Sequence, residues 1–253
     1  MNKIVVITGA TSGIGEACAR KFAADGDNII ITGRRSERLN QLKQQLEKEF
    51  AIKVVALNFD VQNKEEVSAA FLTLPENWKA IDILINNAGL ALGRDYFDEA
   101  DMNDWETMLN TNVHGLLYVS RAILQFMITR KIGHIINISS TAGKNVYEKG
   151  NIYCATKHAV AAISQSMRID LLRHNIKITD IFPGAVQTEF SNVRFKGDDK
   201  KAREVYEGIT PLSATDVANS IFYCTSLPPH VCINELVLTC TQQADSFYMY
   251  KNQ

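Results

Sequence analysis

The sequence predicts an α/β fold: a single domain over residues 1–253 built on a doubly wound, seven-stranded parallel sheet with helices on both faces. Three observations carry that reading. Seven short runs rich in β-branched residues are continuously apolar rather than alternating, the pattern of strands buried on both sides. Longer segments with helical spacing lie between them, so strand and helix alternate about every 25 residues. The chain has 253 residues, 46% hydrophobic and 22% charged, which suits one globular domain of this class, and no linker-like tract or internal repeat divides it.

Taken in order, the strand candidates are "KIVVIT", "NIIITG", "KVVALN", "IDILIN", "GHIINIS", "IKITDIF" and "NELVLT". The helices between them begin with "GIGEACARKFAADG" and "SERLNQLKQQLEKEF", whose apolar residues recur at three- and four-residue intervals. They continue with "NKEEVSAAFLTLP", a long segment from Asp104 to Arg130, "IYCATKHAVAAISQSMRIDLLRH" and "ATDVANSIFYCTSL". One stretch breaks the alternation. Residues 184–212, "GAVQTEFSNVRFKGDDKKAREVYEGITP" in their first part, read as a long polar, irregular excursion of the kind that covers a site as a lid.

Composition removes several function classes. A net charge of -1 gives no electrostatic case for nucleic acid or an anionic membrane surface. No apolar run reaches the roughly 18–20 residues of a membrane span, and "MNKIVVITGA" enters a strand with no leader-like segment, so a cytoplasmic setting is expected. The five cysteines, Cys18, Cys154, Cys224, Cys232 and Cys240, form no C-x-x-C pair, and the five histidines are scattered; neither a disulfide framework nor a metal site is expected. Cys224, Cys232 and Cys240 are placed on a helix, a loop and a strand, and Trp78 and Trp105 read as packing residues.

The first chemical signal is "ITGATSGIG". Gly9, Gly13 and Gly15 follow the first strand and open the first helix. A tight turn, an unshielded backbone and a helix N-terminus together suit a dinucleotide pyrophosphate. The end of the second strand then tells which dinucleotide. Enzymes using NAD place an acidic residue there to hold the ribose 2′-hydroxyl; here Thr32 and Gly33 are followed by Arg34 and Arg35. Two guanidiniums suit a 2′-phosphate, so the expected cofactor is NADP. Asp60 and Val61 end the third strand where an adenine ring would lie, and Asn86, Asn87 and Gly89 end the fourth. Each of these last residues serves equally well as a strand-ending turn.

The stretch "NIYCATKHAV" sets Tyr153 and Lys157 one helical turn apart on one face. Two unit charges about 4 Å apart interact by roughly 4 kcal/mol at an effective dielectric of 20, so an ammonium there would lower a phenol by up to about three pKa units. Tyr153 would then exchange a proton with an alcohol or carbonyl oxygen near neutral pH. The fifth strand ends with Ser139 and Ser140, and strand alternation does not tell which hydroxyl faces the site. Asn112 sits inside a helix, where amides are disfavoured; it either opens a local bulge toward Lys157 or faces the surface.

Together "TGATSGIG", "NNAG", Asn112, "NISS", "YCATK" and "FPGAVQTEF" resemble the short-chain dehydrogenase/reductase family over the whole chain, with its Rossmann-type fold. The resemblance implies a catalytic set of Asn112, Ser140, Tyr153 and Lys157. In it Tyr153 is the acid/base, Ser140 holds the substrate oxygen, and Lys157 binds the nicotinamide ribose and lowers the phenol. It also brings the nucleotide against Thr11, Ser12 and Ile14 of the glycine turn, against Ala88, and against Pro183, Gly184, Val186 and Thr188.

More narrowly, "NNAGLALG", "DWETM" and "TEFSNVRFKGDD" are similar to the NADP-dependent 3-hydroxy acid dehydrogenases. That likeness implies oxidation of serine, allo-threonine and related 3-hydroxy acids, reduction of malonic semialdehyde, and a homotetramer. Within the lid, Arg194 and Lys196 are candidates for holding a substrate carboxylate; the alternative is a solvated, mixed-charge segment. Two other functions use the same fold: reduction of a different carbonyl (a sugar, a pterin side chain or a 3-oxoacyl thioester) and a non-catalytic NADP(H) sensor.

Overall fold

The computed structural model describes residues 2–251, so Met1, Asn252 and Gln253 of the expected domain lie outside the described residues. Seven parallel strands form the main sheet: β1 (Ile4–Ile7), β2 (Asn28–Gly33), β3 (Val54–Asn58), β4 (Ile83–Asn86), β5 (Gly133–Ile138), β6 (Ile176–Pro183) and β9 (Glu235–Leu238). Their order is β3-β2-β1-β4-β5-β6-β9. Winding therefore reverses between β1 and β4, and a cleft opens at the carboxyl ends of those strands.

The unbroken apolar runs have a direct cause. Val5 and Ile7 of β1 enter one core, while Ile4 and Val6 enter the other. The same division separates Ile29 and Ile31 from Ile30 in β2, and Ile83 and Ile85 from Leu84 in β4. Since successive side chains point to opposite faces, a sheet covered on both sides needs apolar residues at every position.

One face is covered by α1 (Gly13–Ala24), α2 (Ser36–Glu49) and α9 (Ala214–Ser226), through Phe22, Leu39, Leu46 and Ile221. The other is covered by α3 (Lys64–Leu72) and α5 (Leu116–Arg130), with α6 (Asn151–Asp170) beside them. A capping box between Ser213 and Asp216 starts α9. No helix among the described residues is long and apolar enough to cross a membrane.

Three expectations change. The segment from Asp104 to Arg130 is not one regular helix: α4 (Met102–Leu109) passes into α5 through a π turn at Asn110–Gly115. The stretch 184–212 is not irregular. It contains β7 (Val186–Gln187), α7 (Phe190–Arg194), α8 (Asp199–Glu204) and β8 (Leu212–Ser213), with β7 and β8 paired in parallel. Elements this short are below the length at which periodicity is readable. Cys240 lies two residues beyond the end of β9 rather than on it.

Candidate active site

A cavity of about 1390 Å3 runs along the carboxyl ends of the strands, from the arginines after β2 to Tyr153 and α7. Of the residues expected to touch nucleotide or substrate, all but Gly15, Asn86 and Asn112 line it.

At the nucleotide end, Gly9 and Gly13 adopt φ of 64° and 56°, a left-handed conformation that glycine enters without strain. Gly15 is needed for space: a Cβ there would stand 2.5 Å from Asn87 Nδ2 and closer still to the Gly9 carbonyl. Asn87 donates to the Thr8 and Gly9 carbonyls at 2.8 and 3.2 Å, while Thr8 Oγ1 accepts from the amides of Asn87 and Ala88. Thr8 and Asn87 thus staple the glycine turn to the end of β4. Thr8 escaped the sequence reading, although a threonine ending a buried strand was its signal. At the α1 N-terminus, the N-cap Ser12 makes no side-chain capping bond to the first helical turn. Those amides and the helix dipole point to where an anion would sit.

The basic residues after β2 are all engaged. Arg34 pairs with Asp60 at 3.5 Å. Arg35 donates to Thr11 Oγ1, to Ser12 Oγ and to Glu189. Arg38, in the first turn of α2, also reaches Glu189, at 2.8 Å. Val61 is buried against Gly115, where an added Cβ would meet it at 2.8 Å. Asn86 turns away from the cleft and donates to Ser120 and Asn137 inside the sheet, so it belongs to a buried polar network and not to the site.

At the other end, β5 and α6 deliver the remaining groups. Tyr153 is 8% exposed, Lys157 6% and Asn112 2%. Lys157 Nζ donates to the Ile138 carbonyl at 2.9 Å and lies 5.9 Å from the centre of the Tyr153 ring. The two serines separate. Ser139 donates to the Lys157 carbonyl at 3.0 Å and is structural, whereas Ser140 faces the cavity, accepting from the Ala142 amide and donating to the Pro183 carbonyl.

Asn112 takes the bulge option and not the surface one. Its amide accepts from Leu90 N at 2.9 Å and donates to Leu90 O at 2.8 Å and to Thr156 Oγ1. The π turn is what aims it inward. Gly89 lets these groups close up: a Cβ there would come within 3.2 Å of Asn112 Oδ1 and 3.6 Å of Lys157 Nζ.

Electrostatics depart from the sequence estimate. In the chain alone, burial pushes the Tyr153 phenol up rather than down. Tyr147 adds to the rise, and the Ser140 hydrogen bond and the Arg194 charge oppose it. Burial also brings Lys157 down to about 8, with Asp180 pulling the other way. Asp180 itself is 1% exposed, and burial raises it to about 7 against the pull of Lys157. Desolvation therefore outweighs the helix-spacing argument, which contained no burial at all.

The two lid cations also part company. Arg194 of α7 sits 5.5 Å over the Tyr153 ring and donates to Tyr147 Oη at 3.0 Å and to the Gly93 carbonyl at 3.2 Å. Phe190, on the same helix, packs against Tyr153 at 5.8 Å between ring centres. Lys196 is instead paired with Asp104 at 2.8 Å. Only Arg194 has its charge beside the phenol.

The chain is similar to known proteins. Residues 3–199 match the family described as short chain dehydrogenase. The chain is 46% identical over 242 residues to the NADP-dependent 3-hydroxy acid dehydrogenase YdfG of Escherichia coli (strain K12), covering 95% of this chain and 96% of that protein. It is 42% identical over 249 residues to a sulfoacetaldehyde reductase of Chromohalobacter salexigens, covering 98% of each. Among solved structures, a closed form of serine dehydrogenase complexed with NADP+ superposes with a TM-score of 0.91 at 45% identity, covering 99% of this chain and 100% of that one. With a family match over most of its length and relatives this similar end to end, the chain belongs to the short chain dehydrogenase family.

Proposed function

We propose that this protein is an NADP-dependent oxidoreductase that interconverts a hydroxyl and a carbonyl on small anionic substrates, 3-hydroxy acids foremost. The observation that carries the substrate class is Arg194, held over the ring of Tyr153. The two kinds of curated relative support it chemically. A 3-hydroxy acid has its carboxylate one carbon away from the carbinol carbon, and sulfoacetaldehyde has its sulfonate one carbon away from the aldehyde. Both need one cation a short distance from the acid/base, which is where Arg194 stands.

The nucleotide fits the residues present. The glycine turn leaves no room for a Cβ at Gly15, the α1 N-terminus offers free amides, and Arg34 and Arg35 border the cavity. Bound NADP would supply the hydride acceptor or donor. In the reductive direction Tyr153, kept protonated by burial, donates its proton to the substrate oxygen. Ser140 donates a hydrogen bond to the same oxygen and orients it. In the oxidative direction Tyr153 must accept the proton, and the charges of Lys157 and Arg194 stabilise the phenolate that does so. Asn112 fixes the Leu90 backbone between the two ends of the cleft. Assembly as a homotetramer is part of the proposal, supported by exposed Leu109 and Leu117 on α4 and α5 and by Tyr223 and Val237 on α9 and β9.

The test is a kinetic panel with NADP and NAD on L-serine, L-allo-threonine, 3-hydroxypropionate and sulfoacetaldehyde, set against neutral alcohols and a 3-oxoacyl thioester. Anionic substrates with NADP should dominate. Arg194→Ala should lower kcat/KM for the anionic substrates on the order of 10- to 100-fold, the range for a charged hydrogen bond, and spare neutral alcohols. Equal loss on both removes the carboxylate assignment. Preference for the thioester removes the substrate class.

A further inference from the structure

Glu189 lies in the cleft and the mechanism gives it no role. It follows Thr188 and immediately precedes α7. Its carboxylate bridges two guanidiniums across the mouth of the nucleotide end: Oε2 meets Arg35 Nη1 at 3.0 Å, and Oε1 meets Arg38 Nη1 at 2.8 Å. The rest of the Arg35 guanidinium is committed to the glycine turn, through Thr11 Oγ1 and Ser12 Oγ. Arg34 is turned the other way, toward Asp60. Burial alone would raise the Glu189 carboxyl, but Arg35 and Arg38 outweigh it and hold it below the usual range.

Two guanidiniums that converge on a carboxylate beside a nucleotide turn offer the positive charge and the donors that a phosphate monoester requires. A phosphate entering this position and a carboxylate remaining there would repel each other within one small site. We propose that Glu189 is an internal anion occupying the 2′-phosphate subsite, that the 2′-phosphate of NADP displaces it, and that Arg38 joins Arg35 as a phosphate ligand. This rests on the NADP reading and deepens it. A nucleotide lacking the 2′-phosphate leaves the Glu189 clamp in place. Because Glu189 is bonded to Phe190, which packs on Tyr153, the exchange connects the identity of the nucleotide to the helix that carries Arg194.

The experiment measures binding of 2′,5′-ADP and of 5′-AMP to the full chain by calorimetry, in the wild type, E189Q and R38Q, with circular dichroism to confirm folding. Wild type should bind 2′,5′-ADP the more tightly. Removing the competing charge in E189Q should raise the ratio of 2′,5′-ADP to 5′-AMP affinity about three- to tenfold, the scale of two partly exposed ion pairs. R38Q should lower that ratio by a similar factor. An unchanged or lowered ratio in E189Q overturns the displacement and makes Glu189 a support for Arg35. An unchanged ratio in R38Q removes Arg38 from the subsite. If wild type itself shows no preference for 2′,5′-ADP, the NADP reading has failed and not only this inference.

Discussion

The two ends of the cleft hold their polar groups by opposite means. At the nucleotide end Arg34, Arg35, Arg38, Asp60 and Glu189 pair with one another, Arg35 also holding the glycine turn, and their side chains are 33–59% exposed. At the Tyr153 end Lys157, Asn112 and Ser139 are buried and tied to backbone groups of Ile138, Leu90 and Lys157. Exposed ion pairs are weak and change partners readily, which suits a site that admits and releases a charged nucleotide. Buried groups bonded to backbone cannot reorganise, which suits chemistry that needs fixed dipoles. Mutational effects should therefore be large and local to function at one end, and small and dependent on competing anions at the other.

The largest expected effect tests the buried end. Tyr153→Phe retains the ring that packs on Phe190 and removes only the hydroxyl, so kcat should fall on the order of 10²- to 10⁴-fold while the fold persists. Turnover within a few-fold of wild type would dismiss Tyr153 as the acid/base. Next comes Gly15→Ala, in the glycine turn of the nucleotide end. The added Cβ meets the Gly9 carbonyl and Asn87 Nδ2, which are fixed by the Thr8 staple, so the turn must shift. NADP binding should weaken at least about tenfold with a stability loss of about 1–3 kcal/mol, read by calorimetry and thermal unfolding; unchanged affinity would show that the turn is as adaptable as the charges beside it.

The last effect is read in stability and concerns burial. Folded Asp180, at about 7, lies above its unfolded value near 3.9, so the folded chain holds the extra proton between those limits. Stability from this group is greatest below about pH 4 and falls as pH rises through about 7. Asp180→Asn should match wild type near pH 4 and exceed it near pH 8, the attraction to Lys157 being already contained in the value near 7. Parallel melting curves for the two chains across that range would mean that Asp180 is not desolvated as described.

Much of the architecture was legible because a doubly covered sheet forces apolar residues at every strand position, and because the glycine positions are set by backbone geometry alone. Other parts were not. Ser139 and Ser140 come just after β5 ends at Ile138, where alternation stops giving directions. The Arg38–Glu189 contact joins residues 151 apart and follows no local spacing. Lys196 and Arg194 look equivalent in a mixed-charge segment, yet Asp104 takes the first and Tyr147 the second. The shift of Tyr153 was misjudged because spacing on a helix reports neighbours and says nothing of desolvation.

The π turn at Asn110–Gly115 has a consequence for how this chain tolerates change in length. A helix advances about 100° per residue, and a π turn is in effect one residue more than a regular helix would use. Deleting a single residue there would restore ordinary winding and leave the phase of α5 as it is. Val119, Ile123 and Met127 would keep the core they now fill, while the amide of Asn112 would lose the bulge that aims it at Leu90. Trimming one of these six residues thus removes a site group and spares the core, an economy that a regular helix would not allow.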